Sequence, residues 1–232
     1  MTTYILGLLI SFAAGAWFIY KAPEKKQWIY LFLSAGGAYL ITVLFTHILP
    51  ELFENLGHTA GYVLLVGFIA QILLENYSRG IEHGHAHPSA TKTALLISYA
   101  ALCLHALIEG MPLASVLFNS VIQFDRELTL GIMLHKIPVA ITLSTLLIRS
   151  GLKKHTSLMW LFGFIACTVV GSALQHGLGN NSEELMFMSL GLTVGILLHV
   201  STTILFESSD EHRLSTKRIA VIAIGILLGV IV

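Results

Sequence analysis

The stretch from Leu128 to Ile148 reads LTLGIMLHKIPVAITLSTLLI. It runs for 21 residues, and its only ionisable side chains are His135 and Lys136. A helix crosses the hydrocarbon core of a bilayer in about 20 apolar residues. The stretch therefore reads as a membrane span. An ionisable group at mid-depth costs about 2.5–3.5 kcal/mol on insertion scales, so the two near its centre are functional candidates.

Runs of the same kind recur on both sides, with short polar breaks between them. Spans are expected near Tyr4–Tyr20, Trp28–Pro50, Gly61–Glu75, Thr93–Leu117, Leu128–Ile148, Ser157–His176, Leu185–Phe206 and Lys217–Val232. The third and eighth are short. Composition agrees: 55% of the 232 residues are hydrophobic and 11% are charged, against about 25% charged in a soluble domain. The expected fold is an all-α integral membrane bundle of about eight transmembrane helices, one domain over residues 1–232. Net charge is zero, which argues against a nucleic-acid partner. No basic segment precedes the first run and no A-x-A-like site follows it, so it reads as a retained helix. Cys103 and Cys167 sit inside apolar runs and read as small packing residues.

Charge in the breaks sets the orientation. Lys21, Lys25 and Lys26 follow the first span, Arg79 and Lys92 the third, Arg149, Lys153 and Lys154 the fifth, and Arg213, Lys217 and Arg218 the seventh. The alternate breaks hold only Arg126. Basic residues favour the cytoplasmic side, so both termini are expected outside. The break from Asn76 to Lys92 is then cytoplasmic, and it carries His83, His85 and His87. Histidine-rich tracts bind metal, and this one is read as a metal-handling loop, an acceptor or sensor on the inner face.

The fourth span reads Leu102-Cys-Leu-His105-Ala-Leu-Ile-Glu109-Gly-Met-Pro112. His105 and Glu109 are four apart and share a helix face. The fifth carries His135 and Lys136 shortly before Pro138. Each proline removes a helical hydrogen bond, so Pro112 should free the carbonyl of Ile108 and Pro138 that of Leu134. Freed carbonyls at membrane depth are tolerated against protein or a wet cavity. Bent helices bearing ligands suit a mid-membrane ion site. Imidazole with carboxylate suits Zn²⁺, and also Fe²⁺ or Mn²⁺. The bland alternative makes His105 and His135 hydrogen-bonding residues between buried helices. Two histidines and a glutamate on adjacent kinked helices favour the metal site His105, Glu109, His135.

Three weaker groups surround it. The second span ends in His47 and Glu51 around Pro50 and reads as the outer mouth of a metal path, or as a plain helix end. His199 in the seventh span reads as lining the path or hydrogen-bonding a neighbouring helix. Glu207 stands at the inner end of that span, and His176 reads as interfacial. Small residues Gly163, Gly171 and Ala173 on the sixth span permit close packing, including between the protomers of a homodimer.

These residues resemble the ZIP (zinc/iron-regulated transporter-like) metal transporters. The resemblance covers most of the chain: eight spans, outer termini, a histidine-bearing inner loop, and the second-span pattern from His47 to Glu51. Fourth spans of that family typically read His-Asn-x-x-Asp/Glu-Gly, and this chain has His105-Ala-Leu-Ile-Glu109-Gly110. Fifth spans typically read His-Glu-x-Pro-His-Glu, and this chain has His135-Lys136-Ile-Pro138-Val-Ala140. The resemblance implies alternating access and two metals bridged by carboxylates. Ala106, Lys136 and Ala140 replace ligands of such a pair. The expectation is a one-metal site in which Lys136 fills the space of the second ion and pairs with Glu109. The implied activity is import of a divalent metal, zinc first and Fe²⁺, Mn²⁺ or Cd²⁺ as alternatives, across the plasma or inner membrane. A metal-gated receptor with little flux is one rival. An intramembrane zinc hydrolase with Glu109 as base is another, although the His-Glu-x-x-His motif is absent.

Overall fold

The computed structural model describes residues 1–21, 27–78, 80–83, 91–118, 126–179, 182–207 and 215–231. Among the described residues every regular element is a helix. In chain order they are α1 (Thr2–Lys21), α2 (Gln27–Val43), a π-helical turn (Leu44–Ile48), α3 (Leu49–Leu56), α4 (His58–Ser78), a 3-10 turn (Ile81–His83), α5 (Lys92–Gly110), α6 (Ala114–Phe118), α7 (Arg126–Arg149), α8 (Lys154–Gly179), α9 (Glu183–Glu207) and α10 (Thr216–Ile231). Helices are what a bilayer demands, since each satisfies its own backbone polar groups. Seven are long and apolar enough to cross a membrane, with α2, the π-turn and α3 forming one span. The eighth expected run is α10, 16 residues long, and it packs along α2. The protein is an integral, multi-pass membrane protein.

Several spans differ from expectation at their ends. The second continues past Pro50 to Leu56: the proline falls in the first turn of α3, directly after the π-turn, and the backbone stays helical through it. The third is longer than expected and takes in residues 58–60 and 76–78, so the break expected from Asn76 begins later. The fourth stops at Gly110 and resumes as α6 after a turn that contains Pro112. The eighth is short, as expected. Cys103 and Cys167 are free thiols, half-buried against the core.

The bundle is assembled from two sets of helices. α1 lies along α7 and α5 along α8, with α1 also meeting α8. α4 lies along α9 and α10 along α2, with α2 also meeting α9. The sets join where α2 meets α7 and α4 meets α5. α7 is the axis: 78% of its apolar stretch is buried, against 17% for α4. α4 instead turns Tyr62, Leu65, Val66, Ile69 and Leu73 outward, an apolar face suited to lipid.

Helices in lipid associate by close packing, which small residues allow. At Gly110 and Gly171 the backbones of α5 and α8 touch. A Cβ on Gly110 would strike the carbonyl of Thr168, and one on Gly171 that of Leu107. Gly163 faces the hydroxyl of Tyr99 on α5, which donates to the Trp160 carbonyl at 2.8 Å. Of the small residues expected to allow close packing, Gly163 and Gly171 pack against α5 within the chain. Arg218 at the start of α10 donates to the carbonyls of Ile204 and Leu205 at 2.8 and 3.0 Å and to Ser34 Oγ at 3.0 Å. It thereby ties α9, α2 and α10 together and satisfies carbonyls near the α9 terminus that helical bonding leaves open.

Candidate metal centre

α5 begins at a capped end. Thr91 is extended and its hydroxyl accepts from the Ala94 amide at 3.1 Å, as a threonine N-cap does. From there the helical period brings Leu95, Ser98, Leu102, His105, Ala106 and Glu109 to the buried face. The helix ends one residue after Glu109. The carbonyls at this end face protein: hydroxyls of neighbouring helices take them up. The Ile108 carbonyl accepts from the Met111 amide at 3.1 Å and from Thr193 Oγ1 on α9 at 3.0 Å. The Gly110 carbonyl accepts from Ser172 Oγ on α8 at 2.7 Å. Neighbouring hydroxyls thus hold the broken end of α5 in place.

α7 passes through Pro138 without interruption. His135 and Lys136 lie three and two residues before it, both buried.

His105, Glu109 and His135 converge. One ligand atom from each lies within 4.8 Å of the others, the one such group of three among the described residues. Ligands of a tetrahedral zinc with bonds of about 2.0–2.1 Å stand about 3.3 Å apart. His105 Nε2 and Glu109 Oε1 are already 3.1 Å apart. Neither atom has a hydrogen-bond partner among the described residues. The two imidazole rings meet edge to face with centroids 6.1 Å apart. All three side chains are at most 2% exposed. Buried polar atoms such as His105 Nε2 and Glu109 Oε1, left without a hydrogen bond, are costly, and a cation between them removes the cost.

Lys136 takes the other side of the carboxylate. Its Nζ donates to Glu109 Oε2 at 2.8 Å, and it stands 5.0 Å from the centre of the Phe164 ring on α8. Glu109 therefore offers one oxygen toward the histidines and holds an ammonium with the other. The residue at Ala140 is buried and contributes no ligand atom.

Three polar residues here escape a reading of the sequence. Gln71 of α4 is fully buried and its Oε1 lies 2.9 Å from His105 Nδ1. Glu75, one turn on, meets His199 of α9 at 2.5 Å, and Phe68 packs edge-on against that imidazole. Glu82 is fully buried in the 3-10 turn and accepts from Ser78 at 2.6 Å. An apolar span that spends one of its few buried positions on glutamine is the available signal for Gln71. His199 is thus engaged by the carboxylate of Glu75 and stands apart from the three-ligand group. Glu207 closes α9 and its side chain lies outside the described residues, as do the His83 side chain, His85 and His87. His47 falls in the π-turn with Thr46 Oγ1 at 2.7 Å. Neither it nor Glu51 joins a group of three metal-capable side chains among the described residues.

Two cavities lie against α4. One of about 490 Å³ is lined by Ile72, Glu75, Asn76 and Gly80. The other, of about 360 Å³, is lined by Asn55, Leu56, Thr59, Glu183, Glu184 and Phe187. They sit toward the two ends of α4.

A family model described as "ZIP Zinc transporter" matches residues 78–232. Among curated proteins the chain is similar to zinc transporter ZIP9 of Xenopus tropicalis, 26% identical over 158 residues, covering 64% of this chain and 52% of that protein. Zinc transporter ZIP9-B of Xenopus laevis is 26% identical over the same shares. Zinc transporter ZIP9 of Micropogonias undulatus is 24% identical, covering 64% of this chain and 51% of its own. The chain spans about half the length of these relatives.

Proposed function

Because the chain belongs to the ZIP zinc transporter family, we propose that it carries a divalent transition metal, zinc first, through a single site formed by His105, Glu109 and His135. The observation that carries the reading is the convergence of these three buried ligand atoms within 4.8 Å. The relatives named above are zinc transporters, and the ligand set is one that zinc accepts. Fe²⁺, Mn²⁺ and Cd²⁺ compete for the same donors in this reading.

Direction follows from charge. Eleven of the thirteen basic residues fall in breaks on one side, which the positive-inside rule makes cytoplasmic. With α10 taken as the eighth crossing, both termini lie outside, and the membrane is the plasma or inner membrane. The ion comes from the side of Glu51, Glu183 and Glu184. It is held at mid-depth, and it leaves past Glu75 and His199 toward the loop that bears His83, His85 and His87. Proton gain by the ligands helps release, since histidine and carboxylate bind metal only when deprotonated. Lys136 supplies the charge that a second ion supplies elsewhere in the family, so the centre takes one metal.

The test is zinc uptake into proteoliposomes that hold a fluorescent indicator, with Fe, Mn, Cd and Co as competitors. Flux is expected in the wild type and lost in the double variant His105→Ala, His135→Ala. Undiminished flux in the double variant overturns the reading. Zinc binding without flux supports the sensor alternative instead.

A further inference from the structure

α4 exposes most of its surface. Its buried positions are Ala60, Gly67, Gln71 and Ser78, a single stripe toward the bundle. Packing alone calls for an apolar or small residue at position 71, as at 60 and 67. A glutamine there carries two polar ends that must be satisfied away from water. Its oxygen meets His105 Nδ1 at 2.9 Å, and its Nε2 has no hydrogen-bond partner among the described residues.

An amide oxygen only accepts, so the imidazole nitrogen facing it must donate. A neutral ring that carries its proton on Nδ1 has its lone pair on Nε2. That atom faces Glu109 Oε1 at 3.1 Å. Two electron-rich atoms are thereby held side by side, the arrangement that a cation completes. With the opposite tautomer the Nε2 proton would seal the ligand position. Metal-bound histidines commonly give their second N–H to a fixed oxygen, which sets tautomer and ring angle.

We propose that Gln71 is the positioning residue of the metal centre: its amide oxygen holds His105 in the Nδ1–H tautomer and so presents Nε2 to the ion. This deepens the transport reading and rests on His105 being a ligand. Gln71 adds an acceptor without adding charge, in a site where Lys136 already balances Glu109.

The test uses the full chain purified in detergent. Zinc affinity is measured by competition with a chromophoric chelator. The His105 tautomer is read from ¹⁵N-histidine spectra of the metal-free protein, with His105→Ala identifying the signal. Q71L is expected to weaken zinc binding about 10–100-fold, the usual cost of losing such a partner, and to move the His105 signal off the Nδ1–H tautomer. Q71E, which restores an oxygen at the same reach, is expected to recover most of the affinity. Should Q71L fold poorly, Q71M keeps the length without the oxygen and is read the same way. Wild-type affinity in Q71L, or an unchanged tautomer, overturns the proposal. So does equal weakening by Q71L and Q71E, which would make position 71 a packing site. Zinc affinity unmoved by His105→Ala removes the ligand assignment itself, a result distinct from any change at position 71.

Discussion

Lys136 Nζ lies 2.8 Å from Glu109 Oε2, and each side chain is 1% exposed. Two unit charges about 4 Å apart attract by about 4 kcal/mol at an effective dielectric near 20. That offsets much of the cost of placing an ammonium at this depth. It also fills, with a fixed charge, the side of Glu109 turned away from the histidines. Lys136→Glu replaces that charge with a carboxylate and reopens the space. The purified variant should bind close to two metal ions per chain where the wild type binds one, as counted by elemental analysis after desalting. Unchanged stoichiometry would sink the idea that the lysine stands in for an ion.

The same pair sets the stability of the metal-free protein. Removing one partner of a buried ion pair leaves the other charge uncompensated and costs about 3–5 kcal/mol. Lys136→Met should therefore lower the thermal midpoint sharply in chelator. Bound zinc would again neutralise Glu109, and a ligand at a hundred times its Kd adds about 2.7 kcal/mol. The variant should thus gain more from zinc than the wild type does. Equal zinc shifts in the two proteins, by thermal unfolding in detergent, would contradict the charge argument.

Much of this arrangement is legible in the amino-acid order. Span number and placement follow from run length, since a bilayer imposes one length on every crossing helix. His105 and Glu109 are legible as one face because their spacing is local. What a run of residues cannot display is which helix a side chain meets. Gln71 reads as one polar residue in a short span, and only the α4–α5 contact gives it His105. His199 reads as path-lining or as a hydrogen-bonding partner with equal ease, and only the fold brings in Glu75, 124 positions away. The proline effect is half legible: Pro112 does break α5, but the hydroxyls that recapture its carbonyls come from α8 and α9. Likewise Pro50 reads as a stop and serves as a start, because the π-turn before it carries the chain onward.

Thr193 tests the recaptured carbonyl. Its hydroxyl holds the Ile108 carbonyl at 3.0 Å, next to Glu109. Thr193→Val keeps the shape and removes the donor, at a cost of about 1–3 kcal/mol for the stranded acceptor. The expected result is a lower thermal midpoint and weaker zinc binding, with Thr193→Ser close to wild type in both. A valine variant with wild-type affinity would show that the end of α5 holds its ligands without this bond.

Two glycines on α8 separate helix propensity from helix contact. A methyl added to Gly177 would meet nothing within 4 Å, whereas one added to Gly171 meets the Leu107 carbonyl on α5. Alanine in place of glycine within a helix ordinarily gains about 0.5–1 kcal/mol, so Gly177→Ala should be neutral or stabilising. Gly171→Ala must push α5 and α8 apart, and overpacking costs about 1–3 kcal/mol. The displaced backbone is that of Leu107, midway between His105 and Glu109. Zinc affinity should fall together with stability in Gly171→Ala and stay unchanged in Gly177→Ala. If stability falls in Gly171→Ala and affinity does not, the metal centre tolerates movement of α5, and its geometry is set from α7 and α4 instead.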